Sequence, residues 1–204
     1  MESSSTVHEG GVLELGQLAD GAWELRMTPA TAPYAARAGA PIEYHGRALR
    51  SRQDWLQIPV SGITPEDAQA YAAWLDRTGR VPRARLCTER EWERASRGAD
   101  GRPYPHGEQL LPDDANFDAT YGRRDVAFGP DAVGAHPAST SPFGLVDTSG
   151  NVWEISRSAS GTGFVMRGGS YYNDARTANL ANREIITSRH RHLHVGLRVC
   201  ADAP

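Results

Sequence analysis

Apolar residues recur along this chain in more than one rhythm. In Val12-Leu13-Glu14-Leu15 and Trp23-Glu24-Leu25-Arg26-Met27 they alternate with polar ones, the period of short strands, and the Asp20-Gly21 pair between them predicts a hairpin. From Pro29 to Arg52 no period emerges. At Thr64 the rhythm turns helical: Thr64 stands as N-cap, Pro65 takes the first helical position, and Glu66 and Asp67 place acid in the first turn. Ala68, Tyr71, Ala72 and Leu75 follow at helical spacing with Trp74 beside them, and Gly79 ends the run. This predicts an amphipathic helix with Tyr71 and Trp74 on its inner, core face. Thr88-Glu89-Arg90-Glu91 is a capping box that opens a second helix through Trp92 and Ala95 to Gly98. Residues 101 to 142 read as loop, and so long an irregular stretch needs something to pin it. Strand-like pieces return at Phe143–Val146, Asn151–Ile155, Phe164–Arg167 and Val195–Val199, the last with Val195, Leu197 and Val199 on one face.

Composition narrows the class. At 204 residues, 39% hydrophobic and 23% charged, the chain buries one sizeable core. A flexible N-terminus over residues 1–11 and a single domain over 12–204 are expected. The net charge of -3, with both signs interspersed, gives no field for a polyanion, so nucleic acid is not the expected partner. No apolar run approaches the roughly 20 residues of a membrane span, nor the core of a signal peptide; no membrane partner is expected, and the expected location is cytoplasmic. Twenty-one Gly and 13 Pro against 8% aromatics favour a loop-rich fold. Two cysteines, Cys87 and Cys200, exclude a disulfide-dense scaffold and leave a single bridge open, beside the alternative that each is a small buried hydrophobe.

Seven short pieces then fall in order: Pro59-Val60, Arg85-Leu86-Cys87-Thr88-Glu89-Arg90-Glu91-Trp92-Glu93, Ala115-Asn116, Phe143-Gly144-Leu145, Gly150-Asn151-Val152-Trp153-Glu154, Arg167-Gly168-Gly169-Ser170 and Val195-Gly196-Leu197-Arg198-Val199. The series resembles the formylglycine-generating-enzyme, or sulfatase-modifying-factor, family. The resemblance implies an α+β, C-type-lectin-like fold with two main helices, short twisted antiparallel strands and long pinned loops. It also implies where chemistry would sit. After the Arg-Gly-Gly-Ser stretch the enzymes carry two cysteines that bind copper, because thiolates are the soft ligands that Cu(I) prefers. Here that region reads Tyr171-Tyr172-Asn173-Asp174-Ala175-Arg176-Thr177-Ala178-Asn179 without sulfur, so no copper and no formylglycine-generating activity are expected. A relative that oxidises sulfur compounds with iron takes its histidines from a separate helical domain, which has no counterpart before residue 55.

Residues 171 to 194 mix types in a way that fits neither strand nor helix. The segment resembles the variable region of target proteins of diversity-generating retroelements, in which adenines of Asn codons are randomised. Tyr171, Tyr172, Ile185, Ile186, His190, His192, Leu193 and His194 are all reachable from AAC or AAT by changing adenines alone, and Asn173, Asn179 and Asn182 stand unchanged among them. Arg167, Arg183, Arg189 and Arg198 would be framework, their guanidinium forks tying loop carbonyls and carboxylates. The expected function is non-catalytic binding of a protein or other macromolecule through Tyr171, Tyr172, Asn173, Asp174, Asn179, Leu180, Ile185, Ile186, His190, His192, Leu193 and His194. Alternatives are a metal-dependent oxidase using His190, His192 and His194 to hold Zn, Cu or Ni, and a catalytically dead regulatory domain. The resemblance also implies structural Ca2+, with Asn116, Asp125, Asn151 and Glu154 as hard oxygen donors that would pin the long loop.

Overall fold

A computed structural model describes residues 5–8 and 11–203. Strands β1 (Ser5–His8), β2 (Gly11–Gln17), β3 (Trp23–Met27) and β4 (Tyr34–Arg37) form an antiparallel sheet in that order. The flexible N-terminus expected over residues 1–11 lies partly outside the described residues; within them, Ser5–His8 pairs with β2. The alternation of the hairpin is used as read: Leu15 opposes Leu25, Leu13 opposes Met27, and Gly21 turns with φ of 84°. Leu25 and Met27 pack with Tyr34, Ile42, Tyr44 and Leu193. The aperiodic stretch supplies β4 and a small ribbon of β5 (Pro41–Glu43) and β6 (Arg52–Asp54).

Helix α1 (Pro65–Arg77) starts on a reciprocal cap, the Asp67 amide donating to Thr64 Oγ1 at 3.0 Å and the Thr64 amide to Asp67 Oδ2 at 2.9 Å. Its inner face corrects the sequence reading. Ala68, Ala72 and Leu75 are buried, whereas Tyr71 and Trp74 are 47% and 36% exposed. Small side chains let the helix lie close on β7 (Ala84–Leu86), and that closeness excludes rings from the interface. The two rings instead stack on each other at 5.7 Å, with the Arg80 guanidinium 4.9 Å over Trp74.

Helix α2 (Glu89–Arg97) buries Trp92 against β8 (Trp153–Arg157) and β9 (Phe164–Arg167). With β10 (Glu184–Ile186) and β11 (Val195–Leu197) these form a sheet ordered β10-β9-β8-β11, in which β11 runs parallel to β8. The expected strand Val195–Val199 is broken at Arg198. Beyond it, β12 (Val199–Ala201) leaves that sheet to pair with β7, and Cys200 forms a disulfide with Cys87. Phe143–Val146 is not a strand either: the Ser141 amide donates to Leu145 O at 2.7 Å and Gly144 takes φ of 82°, which makes a tight turn.

The long loop contains two 3-10 turns, Asp125–Ala127 and Pro137–Ser139. It is pinned by a cation that the chain itself supplies. The buried guanidinium of Arg47 lies 3.6 Å from the Tyr44 ring centroid and 4.0 Å from that of Tyr121. It donates to Ala127 O at 2.7 Å and Gly129 O at 2.6 Å, and pairs with the equally buried Asp131. Asp131 also accepts from Tyr121 Oη at 2.6 Å and Gln53 Nε2 at 3.1 Å, and its Oδ2 lies 2.8 Å from His136 Nε2.

Candidate functional site

The segment from 171 to 194 is entered through the Arg167-Gly168-Gly169-Ser170 turn. A Cβ on Gly169 would stand 2.9 Å from Ala178 Cα, and φ of 74° there also demands glycine. Arg167 is buried and donates to Leu180 O at 2.8 Å and Glu93 at 2.6 Å. Arg183 grips Glu89 at 2.7 and 2.9 Å, and Arg198 grips Glu154 at 2.6 and 2.7 Å while holding Val146 O. Three of the four arginines read as framework therefore tie carboxylates, two of them loop carbonyls as well.

Within this frame the residues expected at the ligand surface separate into three groups. Tyr171, Leu180, Ile186 and Leu193 are buried: Tyr171 lies against Phe128 and Val152, Leu180 beside Trp92, Ile186 under Trp153 and Ile155, and Leu193 in the core beneath the first sheet. These four are packing residues, a correction to the sequence reading. Asn173, Asp174 and Asn179 are loop builders. Asn173 Oδ1 accepts from the Ser170 amide and hydroxyl, Asp174 Oδ1 from the Thr177 amide, and Asn179 Oδ1 from the Ala181 amide. Tyr172, Ile185, His190, His192 and His194 retain surface, with Tyr172 50% and Ile185 75% exposed.

Three of these five come together. The Tyr172 and His194 rings stack at 6.3 Å and 24°, His192 stacks on His194 at 3.7 Å and 28°, and Phe128 meets Tyr172 edge-on at 5.1 Å. The column is held by the backbone: the Trp153 amide donates to His194 O at 2.9 Å and the Val195 amide to His192 O at 3.0 Å. With Pro29, Ala30, Thr31 and Asp125 these rings line a cleft of about 330 Å³. The Pro29–Thr31 wall comes from the stretch without period and carried no signal in sequence. Ile185 lies on β10 and is not a lining residue.

Burial, reinforced by neighbouring His192 and His190, pulls the His194 imidazole down from its ordinary 6.5 to about 3. The folded protein thus refuses a proton that the unfolded chain accepts between those values, so stability falls as pH drops from about 6.5 toward about 3. The slope reaches at most about 1.4 kcal/mol per pH unit. Urea midpoints for the protein and for His194→Phe, measured from neutral to mildly acid pH, should keep a constant offset on the neutral side and shift in favour of the variant under acid, where only the unaltered protein loses stability through this imidazole.

The four calcium donors do not form a cage. Both oxygens of Glu154 are occupied by Arg198, and Oε2 also accepts from Trp92 Nε1 at 2.6 Å. The Asn151 side chain clasps the Asp131 backbone at 2.9 and 3.1 Å, Asn116 donates to Asn151 Oδ1 and Gly129 O, and Asp125 stands apart at the cleft. The Arg47 guanidinium ties this loop through Ala127 O and Gly129 O. Among the described residues no group of three His, Cys, Asp or Glu is placed to hold a metal, and the two cysteine sulfurs lie in one bridge.

The description of a sulfatase-modifying factor enzyme 1-like domain matches residues 18–203, and the chain belongs to that family. The mouse protein named inactive C-alpha-formylglycine-generating enzyme 2 is 35% identical over 154 residues, covering 71% of this chain and 46% of that protein. The formylglycine-generating enzyme of Mycobacterium tuberculosis is 39% identical over 104 residues, 47% of this chain and 32% of the enzyme. The chain thus spans about half the length, or less, of these curated relatives. Variable protein 1 of Treponema denticola superposes with a TM-score of 0.62 at 16% identity, over 97% of this chain and 99% of that one. PvdO from Pseudomonas aeruginosa superposes with a TM-score of 0.57 at 16% identity, over 95% and 98%. These likenesses establish the α+β, C-type-lectin-like fold of the family. Among the described residues no helix is long and apolar enough to cross a membrane.

Proposed function

We propose that the chain is a non-catalytic binding module, and that its ligand, a protein or other macromolecule, is met at the cleft walled by Tyr172, His192 and His194. The observation that carries this is the stacked column of Tyr172, His194 and His192 lining a cleft, in a chain whose stretch after Arg167-Gly168-Gly169-Ser170 has no sulfur. A relative named inactive and a fold shared with a protein named variable support the same reading. We further propose that the segment is a diversified target of a retroelement. Rings suit such a face because they bury much area at low rotamer cost.

The test is to sequence the DNA around the gene and look for a near-copy of the codons for residues 165–200 that differs only at adenines, beside a reverse-transcriptase gene. Burial sharpens the expectation. Differences should fall on Tyr172, Ile185, His190, His192 and His194, and spare Tyr171, Ile186 and Leu193, whose side chains belong to the core. No copy removes diversification, and a copy that differs at Tyr171, Ile186 or Leu193 removes the restriction of diversity to the exposed positions. The binding reading itself is tested by Tyr172→Ala and His194→Ala, which should lower ligand affinity by graded amounts rather than abolish a turnover.

A further inference from the structure

Charge in the cleft is one-sided. Of the residues lining it, Asp125 is the one acidic side chain, none is an arginine or lysine, and burial pulls the His194 imidazole down to about 3. The nearby cations point elsewhere: Arg123 pairs with Asp118 at 2.9 Å, Arg124 donates to Gly46 O, and Arg191 pairs with Asp67 at 2.7 Å. Asp125 forms no ion pair among the described residues, and its exposed carboxylate sits on the 3-10 turn beside the ring column. Aromatic faces attract cations through their quadrupole, and a desolvated face does so more strongly. The cleft's size sets the scale of what enters. At about 330 Å³ it lies near the lower end of small-ligand sites, roughly 300–1,000 Å³, which suits one side chain and not an extended cofactor.

We infer that the cleft takes a single cationic side chain, arginine or lysine, presented by a protein partner, with Asp125 as the counter-ion and the Tyr172–His194–His192 column as the π surface. This rests on the binding reading above. A planar guanidinium satisfies both elements at once, stacking on the rings while its edge donates to the carboxylate.

The experiment pans a phage-displayed random dodecapeptide library on the protein, then measures the retained peptides against Asp125→Asn and Tyr172→Ala. Both side chains are exposed, and unchanged melting of the variants confirms their fold. Retained peptides should carry arginine or lysine and lose affinity about five-fold on either substitution, the size of one exposed charge or cation–π contact. Replacing the peptide's arginine by neutral citrulline should cost more on the unaltered protein, where it removes both contacts, than on Asp125→Asn, where only the cation–π contact of about five-fold remains to be lost. Peptides that depend on Tyr172 but contain no basic residue and ignore Asp125→Asn would overturn the cationic ligand and leave the binding face standing. If no retained peptide depends on Tyr172 or His194, the binding face falls and this inference with it.

Discussion

Replacing Arg47 by methionine is expected to destabilise the protein by about 3–5 kcal/mol, the range seen when one member of a buried ion pair is removed. Methionine keeps most of the stem, so the loss isolates the guanidinium. Without it, the buried Asp131 carboxylate keeps His136 as its nearest potential counter-charge, and the carbonyls of Ala127 and Gly129 lose their buried donor. Against a total stability of about 5–15 kcal/mol this is a large fraction. Arg47→Lys should recover only part, because an ammonium cannot reproduce the fork that reaches two carbonyls and a carboxylate together. Urea denaturation gives the magnitude, and hydrogen exchange over residues 101–142 should show the loop opening first. A chelator separates this hub from the calcium reading: if the guanidinium is the pin, the melting midpoint is the same with EDTA and with millimolar Ca2+, whereas an ion bound to the folded state would raise it. A change below about 1 kcal/mol on Arg47→Met would refute the hub's structural role.

Acid tests the same hub. Burial pushes the Asp131 carboxyl up, but the hydrogen bond from His136, the Arg47 charge and the Tyr121 hydroxyl outweigh it and leave it below the ordinary carboxylate range. A group depressed in this way contributes fully above its unfolded value of about 4, and the contribution is lost as pH falls through the folded value. That window lies at the acid end of the one governed by His194, so Arg47→Met and His194→Phe should alter different parts of the acid denaturation curve.

What was legible in the chain was local or collinear. Thr64 and Thr88 cap their helices through partners three residues away, so the signal lies wholly within a short window. The seven ordered motifs placed the fold because each builds a joint of it, Glu154 holding Trp92 and Arg198, and Arg167 holding Leu180. Tyr71 and Trp74 misled because helical spacing gives a face but not the distance to the neighbouring element, and here alanines set that distance. Arg47 gave no signal at all, since its hydrogen-bond partners lie 80 to 84 residues away. The segment from 171 to 194 was recognisable as irregular, yet only packing separates Tyr171 from Tyr172, adjacent and identical in type.

Removing the Cys87–Cys200 bridge, by Cys87→Ser with Cys200→Ser or by reduction, should destabilise the protein by about 2–5 kcal/mol without altering its fold. The cross-link joins residues 113 positions apart, and closing a loop of that length restricts the unfolded chain by roughly 4–5 kcal/mol in the entropic account. The native ends are already brought together without it. Val199 pairs with Leu86 and Ala201 with Ala84, and Arg85 grips both Glu91 and Asp202. The substitution therefore acts mainly on the unfolded state, and secondary structure should be unchanged while the denaturation midpoint falls. Equal midpoints for reduced and oxidised protein would show that the bridge contributes nothing. The same bridge bears on chemistry and place. Reduced, Cys87 would remain packed beside Trp92 and Leu180, a cluster that shares no residue with the cleft lining, so Cu(I) added to reduced protein should leave the Tyr172 and His194 resonances unmoved. Disulfides persist in oxidising compartments, which sets this bridge against the cytoplasmic expectation drawn from missing signals. Alkylating free thiols at the moment of cell lysis and weighing the protein decides between them: an unlabelled chain places it in an oxidising compartment, and two labels place it in a reducing one.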